Sequence, residues 1–133
     1  MSNEHEEKRA RQRFIARRGD TPFFWIIIEG ERIPLEDLSL EGFSVKAEGL
    51  LKGGEPFQFE MRLHDIPDKL RGEAQAINHI VGSPQGLCGC RFLSLTPGID
   101  RLTEWLTVHV IATATVRISV KDAEKIVSGP SLI

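Results

Sequence analysis

The chain has no tyrosine, only two cysteines and two tryptophans among its 133 residues, and a formal net charge of just −2. Each shortage removes a class of function. Cys88 and Cys90 stand one residue apart, a spacing that suits neither the usual zinc-binding pairs nor a disulfide, so they read as strand residues facing the core. His5, His64, His79 and His109 are scattered without ligand spacing, and no metal is expected. A net charge near zero leaves no whole-protein field to draw the chain onto a nucleic acid polymer or a membrane. The longest apolar run, Phe23 to Ile28, is far too short to span a bilayer. The polar, acidic amino terminus lacks the basic start and apolar stretch of a signal peptide, so a cytoplasmic protein is expected. There is no Gly-rich phosphate loop and no nucleophile with a base and an orienting group, so an enzyme is not expected, nor a cofactor.

What remains is the composition of a single globular domain, 41% apolar and 27% charged. Its charge is unevenly placed. Lys8, Arg9, Arg11, Arg13, Arg17 and Arg18 crowd into one short segment directly after Glu4, Glu6 and Glu7. This basic stretch precedes any periodic pattern and reads as an arm that orders on binding an anion, with a solvated basic segment as the plain alternative. From Pro22 onward the chain reads as short strands separated by turn signals. Phe23–Ile28 is aromatic and β-branched; Glu29-Gly30-Glu31 is a hairpin turn; Arg32 to Leu38 returns. Phe43–Ala47 alternates, and Phe57, Phe59, Met61 and Leu63 alternate against polar neighbours across the Lys52–Pro56 turn cluster. Leu70–Ile80 and Leu87–Leu93 complete six strands with mostly hairpin-length links, which predicts an antiparallel barrel or sandwich. At Thr96-Pro97 the period changes. Thr96 as cap and Pro97 in the first position predict a helix to about Ala114, with Ile99, Leu102, Trp105 or Leu106, and His109 at helical spacing. The expected division is a lead-in over 1–7, an arm over 8–21, a barrel over 22–95, a helix over 97–114, and a tail over 115–133 whose structure is left open.

Two polar motifs carry the chemistry. Arg9-Ala10-Arg11-Gln12-Arg13 places two guanidinium forks four residues apart, and Asp37-Leu38-Ser39-Leu40-Glu41-Gly42 places a carboxylate and a hydroxyl on a Gly-containing turn. A guanidinium donates two parallel hydrogen bonds to phosphate or to the O6/N7 edge of guanine, and a carboxylate accepts from guanine N–H groups. Together they suit a ligand with phosphates and guanine edges.

These motifs, with Gly89-Cys90-Arg91-Phe92 at the end of the sixth strand and the Pro-started segment after it, resemble a PilZ domain over roughly residues 6 to 112. The resemblance implies an all-β fold with a C-terminal helix, a six-stranded antiparallel β-barrel that binds cyclic di-GMP, a bacterial second messenger. It further implies that Arg9 and Arg13 contact phosphate and guanine, that Asp37 and Ser39 bond the ligand's polar edges, and that Lys8 adds a cation, enough to accommodate a second, stacked ligand. Gly42 would let the turn take a conformation hindered by a Cβ atom. Arg91 and His79 are further candidates, each with a bland alternative as a surface residue. The strand before the sixth offers Ala76, Ile77, Asn78 and His79 and no Trp or Tyr, so guanine stacking would fall to arginine. The implied output is regulation of an unidentified effector protein in motility, adhesion or exopolysaccharide production. A PilZ-like adaptor that binds no nucleotide and a small nucleic-acid-binding barrel are the alternatives. Trp105 reads as a helix-packing anchor or as the mark of a homodimer contact.

Overall fold

The computed structural model describes residues 12–64, 66–82, 85–114 and 116–130. Among the described residues, ten strands and two α-helices follow one another: β1 Phe14–Ile15, β2 Arg17–Arg18, β3 Thr21–Pro22, β4 Phe24–Ile28, β5 Glu31–Pro34, β6 Asp37–Leu38, β7 Gly42–Ala47, β8 Phe57–Leu63, β9 Lys69–Ile80, β10 Gly86–Thr96, α1 Ile99–Thr113 and α2 Val120–Ser128. Eight strands make one antiparallel sheet in the order β1-β6-β7-β10-β9-β8-β4-β5, while β2 and β3 form a separate hairpin.

The alternation read in the sequence decides which face of each strand is covered. Phe57, Phe59 and Met61 of β8 are buried, as are Phe24, Ile26 and Ile28 of β4. Strands β4 and β5 are joined through Glu29 and Gly30, both at positive φ (52° and 85°), the twist that a tight hairpin requires. On the outer face of that hairpin the Arg32 guanidinium lies 4.2 Å from the Trp25 ring centroid. Two irregularities in the β9–β10 register, between Gly89 and Cys90 and between Phe92 and Ser94, curl the sheet. Inside the curl, Phe43, Phe59 and Phe92 form a ring cluster with centroids 5.7–6.0 Å apart. Helix α1 covers the open side with Leu102, Trp105, Leu106 and Val110, and α2 buries Ala123 and Val127. Arg101 ion-pairs with Asp68 and ties the start of α1 to the segment before β9.

The sheet is a curled half-barrel and not a closed six-stranded barrel. The second strand expected over Arg32–Leu38 divides at Leu35 and Glu36. Residues before the break pair with β4 and residues after it with β7. Leu35 N–H donates to Phe24 O (3.0 Å) and Glu36 N–H to Ser44 O (2.8 Å), so single bonds bridge the sheet's two sides where a ladder would close a barrel. Part of the segment expected as the arm takes strand form. Phe14 and Ile15 pair with Leu38 and Asp37, Ala16 is fully buried, and Arg17–Arg18 pair with Thr21–Pro22. Residues 14–18 of the arm expected over 8–21 are thus paired with or packed on the rest of the fold, while 8–11 lie outside the described residues.

Helix α1 starts at Ile99, with Gly98 as its N-cap and no side-chain capping bond. Thr96 does not cap it because it remains in β10, paired with Arg71. Asp100 in the first turn still complements the helix dipole. The tail that the sequence left open contains α2, whose Ser119 Oγ accepts from Asp122 N–H at 3.0 Å. Trp105 is 5% exposed and packs near Phe24, in keeping with its reading as a helix-packing anchor. No helix among the described residues is long and apolar enough to cross a membrane.

Because Phe43 sits between Phe59 and Phe92, Phe43→Ala should destabilise the fold by about 3–5 kcal/mol. Urea unfolding followed by tryptophan fluorescence would measure it, and a loss below about 1 kcal/mol would remove the ring cluster from the centre of the core.

Candidate functional site

Pairing of β1 with β6 sets Ile15 opposite Asp37. This register brings Arg13, just before β1, within reach of the Asp37 carboxylate, with Nη1 3.5 Å from Oδ1. That oxygen is buried and has no well-formed hydrogen bond among the described residues. The Arg13 side chain is 63% exposed, so the pair contributes only about 0–1 kcal/mol. A pair held so loosely can exchange partners at little cost, and an oxygen so placed favours an added donor.

The β6–β7 turn is built more tightly. Ser39 N–H donates to Gly42 O (2.8 Å), and Glu41 N–H donates to Ser39 Oγ (3.1 Å). Phe92 N–H donates to Glu41 O (2.9 Å), which pins the turn onto β10. Ser39 is buried, and its oxygen already serves the turn, so what it can offer a ligand is its hydroxyl proton. Gly42 is required for a different reason from the one the sequence suggested. Its φ is not positive; a Cβ there would stand 2.0 Å from Cys90 O and 2.9 Å from Arg91 Cα. The constraint is the close approach of two backbones.

Arg13, Ser39, Glu41, Gly42 and Arg91 line one open cavity of about 480 Å³, with Leu40, Ile77, Cys90 and Phe92 as its apolar lining residues. Asp37 stands behind Arg13 and outside this lining. Arg91 is exposed and pairs across β10 with both Gly42 and Gln75. His79 is not part of the group. Its Nε2 bonds Ala47 O at 2.8 Å, at the opposite end of β7 from Gly42. Lys8 and Arg9 lie outside the described residues.

Sequence reasoning passed over Phe92 and Ile77 as site residues. Phe92 follows Arg91 in the quoted Gly-x-Arg-Phe block; its ring packs with Phe43 and Phe59, and the residue also borders the cavity. Ile77, 53% exposed, offers a flat apolar surface on the neighbouring strand. The signal for both was the register of β9 and β10, which no local pattern reveals.

Cys88 and Cys90 are free and buried, with sulfurs 3.9 Å apart, as the core reading expected. Burial, with the adjacent Cys88 sulfur, pushes the Cys90 thiol above the usual thiol range, which favours the protonated form. His109, at helical spacing with Leu102 and Trp105, is buried against the edges of Phe23 and Phe24. Its Nε2–H donates to Ile15 O at 2.9 Å and so fastens α1 to β1, next to the Arg13 segment. Burial lowers its pKa from the ordinary histidine value, only partly opposed by the Ile15 carbonyl.

The chain matches no family model and no curated protein.

The depressed pKa of His109 has a defined consequence for stability. Below the unfolded value, about 6.5, the unfolded chain takes up a proton that the folded chain refuses, so this contribution to stability falls as the pH drops toward the folded value. Native protein should lose stability between pH 7 and pH 5, and His109→Gln, starting less stable, should lose less over the same interval. Denaturant unfolding at both pH values would check this; equal losses in the two proteins would remove His109 as the cause.

Proposed function

We propose that the chain is a PilZ-like cyclic di-GMP receptor that regulates a partner protein through rearrangement around the Arg13 segment. One observation carries the reading. Residues from three separate motifs, Arg13, Ser39 with Gly42, and Arg91, meet in one open cavity although they are spread over most of the chain. Two guanidinium groups on this cavity suit the ligand's phosphates and guanine edges. The half-buried Phe92 and the exposed Ile77 supply apolar surface for a base. The Asp37 oxygen without a hydrogen-bond donor suits the guanine N–H groups.

The implied event is a change of partner. Arg13 leaves its weak pairing with Asp37 for the ligand's phosphate, and Asp37 accepts from guanine instead. Because β1 is fastened to both β6 and α1, a pull on Arg13 is felt by the helix that covers the sheet. Motility, adhesion or exopolysaccharide production are the outputs that the PilZ resemblance suggests for such a receptor.

Calorimetry with cyclic di-GMP should give saturable heat with the native protein, and its stoichiometry distinguishes one ligand from a stacked pair. Arg13→Ala should weaken binding by about 2–4 kcal/mol, tens- to several-hundred-fold, and Arg91→Ala by a smaller factor. Absence of heat at high micromolar protein would defeat the receptor reading in favour of an adaptor that binds no nucleotide. Unchanged affinity in Arg13→Ala would defeat the assignment of the arginine.

A further inference from the structure

On the other side of Arg13 lies a second concavity that the receptor reading leaves unused. Two adjoining cavities, of about 360 and 440 Å³, share Arg18, Phe23, His109 and Thr113 and so form one groove along α1. One end is apolar, walled by Leu63, Ile66, Trp105 and Val108. The other end carries Arg13, Arg17 and Arg18. No carboxylate lines either part among the described residues.

We propose that this groove docks an acidic peptide segment of a partner protein, with a bulky apolar side chain seated at the α1 end. Charge complementarity selects that occupant. Arg17 is already neutralised by Glu36 at 2.9 Å, but Arg18 is exposed and has no carboxylate partner among the described residues. A cation of this kind at the rim, beside unfilled apolar surface, calls for a ligand that brings both a carboxylate and a hydrophobic group. Val108 is 61% exposed and Ile66 42%, both facing this concavity. An anionic membrane fits less well, since the cations are few and the whole chain carries −2.

The groove also explains how a ligand could govern a partner. Arg13 lines both this groove and the candidate ligand cavity. A messenger that draws Arg13 into its own cavity turns that guanidinium away from the groove and so removes a cation from it. This coupling rests on the receptor reading; the groove's chemistry does not.

The test is selection of random dodecapeptides displayed on phage against the intact chain, followed by titration of the chosen peptide with native protein, Arg18→Glu and Val108→Glu. Both positions are exposed, and circular dichroism would verify that the variants are folded. Selected peptides should combine acidic residues with a large apolar one. Each variant should weaken them by about tenfold or more, and exchanging the peptide's glutamates for lysines should restore binding to Arg18→Glu. Saturating cyclic di-GMP should weaken the acidic peptide several-fold on native protein. The groove proposal is overturned by no enrichment, by peptides without acidic bias, or by binding indifferent to both variants. Arg18- and Val108-dependent binding to phosphatidylserine vesicles in place of peptides would overturn it too. An unchanged peptide affinity with the messenger bound would overturn the coupling through Arg13. A chain that binds the peptide but gives no heat with cyclic di-GMP would refute the receptor reading and leave the groove standing.

Discussion

Where β7 begins, its backbone and that of β10 approach so closely that a single methyl group at Gly42 would collide with Cys90 O. Much of the candidate site follows from this contact. It lets the Ser39–Gly42 turn lie flat on β10, where Phe92 N–H can hold Glu41 O. With the turn pinned there, Arg91 emerges beside it on the same cavity, and the short β6 strand is left in position to receive β1. The close contact costs conformational freedom in the unfolded chain, since glycine has the most to lose. The compensation is that a polar turn and an arginine from a distant strand share one cavity, where a larger residue would hold the strands apart.

Arg13 differs from these rigid parts. It stands at the end of a strand only two residues long, exposed, in an ion pair too long to be a good hydrogen bond. Such a residue has little holding it and can respond to an incoming anion. Its neighbours have much more. Ile15 O is bound by the buried His109, and Ala16 is fully enclosed. A mobile cation therefore sits directly beside a fixed anchor, and that anchor belongs to the helix over the core. The contrast makes a mechanical link between ligand cavity and helix physically reasonable without a large loop having to fold.

Much of the fold was legible locally. The alternation of Phe57, Phe59 and Met61 placed β8 at its observed ends, and the turn residues Glu29 and Gly30 marked the β4–β5 hairpin. Helix α1 was visible in the spacing of Leu102, Trp105 and His109, although the burial of His109 was not drawn from it. Ser119 with Asp122 three residues later was a readable start for α2 and was left unread. The expected cap at Thr96 failed because strand pairing with Arg71 outcompeted the local preference. The closed barrel failed because strand count says nothing about where a strand bends. Leu35 and Glu36 look like ordinary strand residues until the sheet's two sides are both present to claim them.

By itself, the sequence determined which residue types are present and which faces of the strands and of α1 are apolar, because side-chain period and turn chemistry are local properties. It also named Lys8, Arg9, Arg13, Asp37, Ser39, Gly42, Arg91 and His79 as the residues to watch. Only the tertiary structure decided that Arg13, Ser39, Gly42 and Arg91 share a cavity, that Asp37 stands behind Arg13, and that His79 is tied elsewhere. It alone decided that Phe92 and Ile77 join the site and that Arg13 faces two concavities. These are matters of register and of backbone approach between segments far apart in the chain. Such contacts depend on how the whole sheet curls, and no window of sequence contains that information.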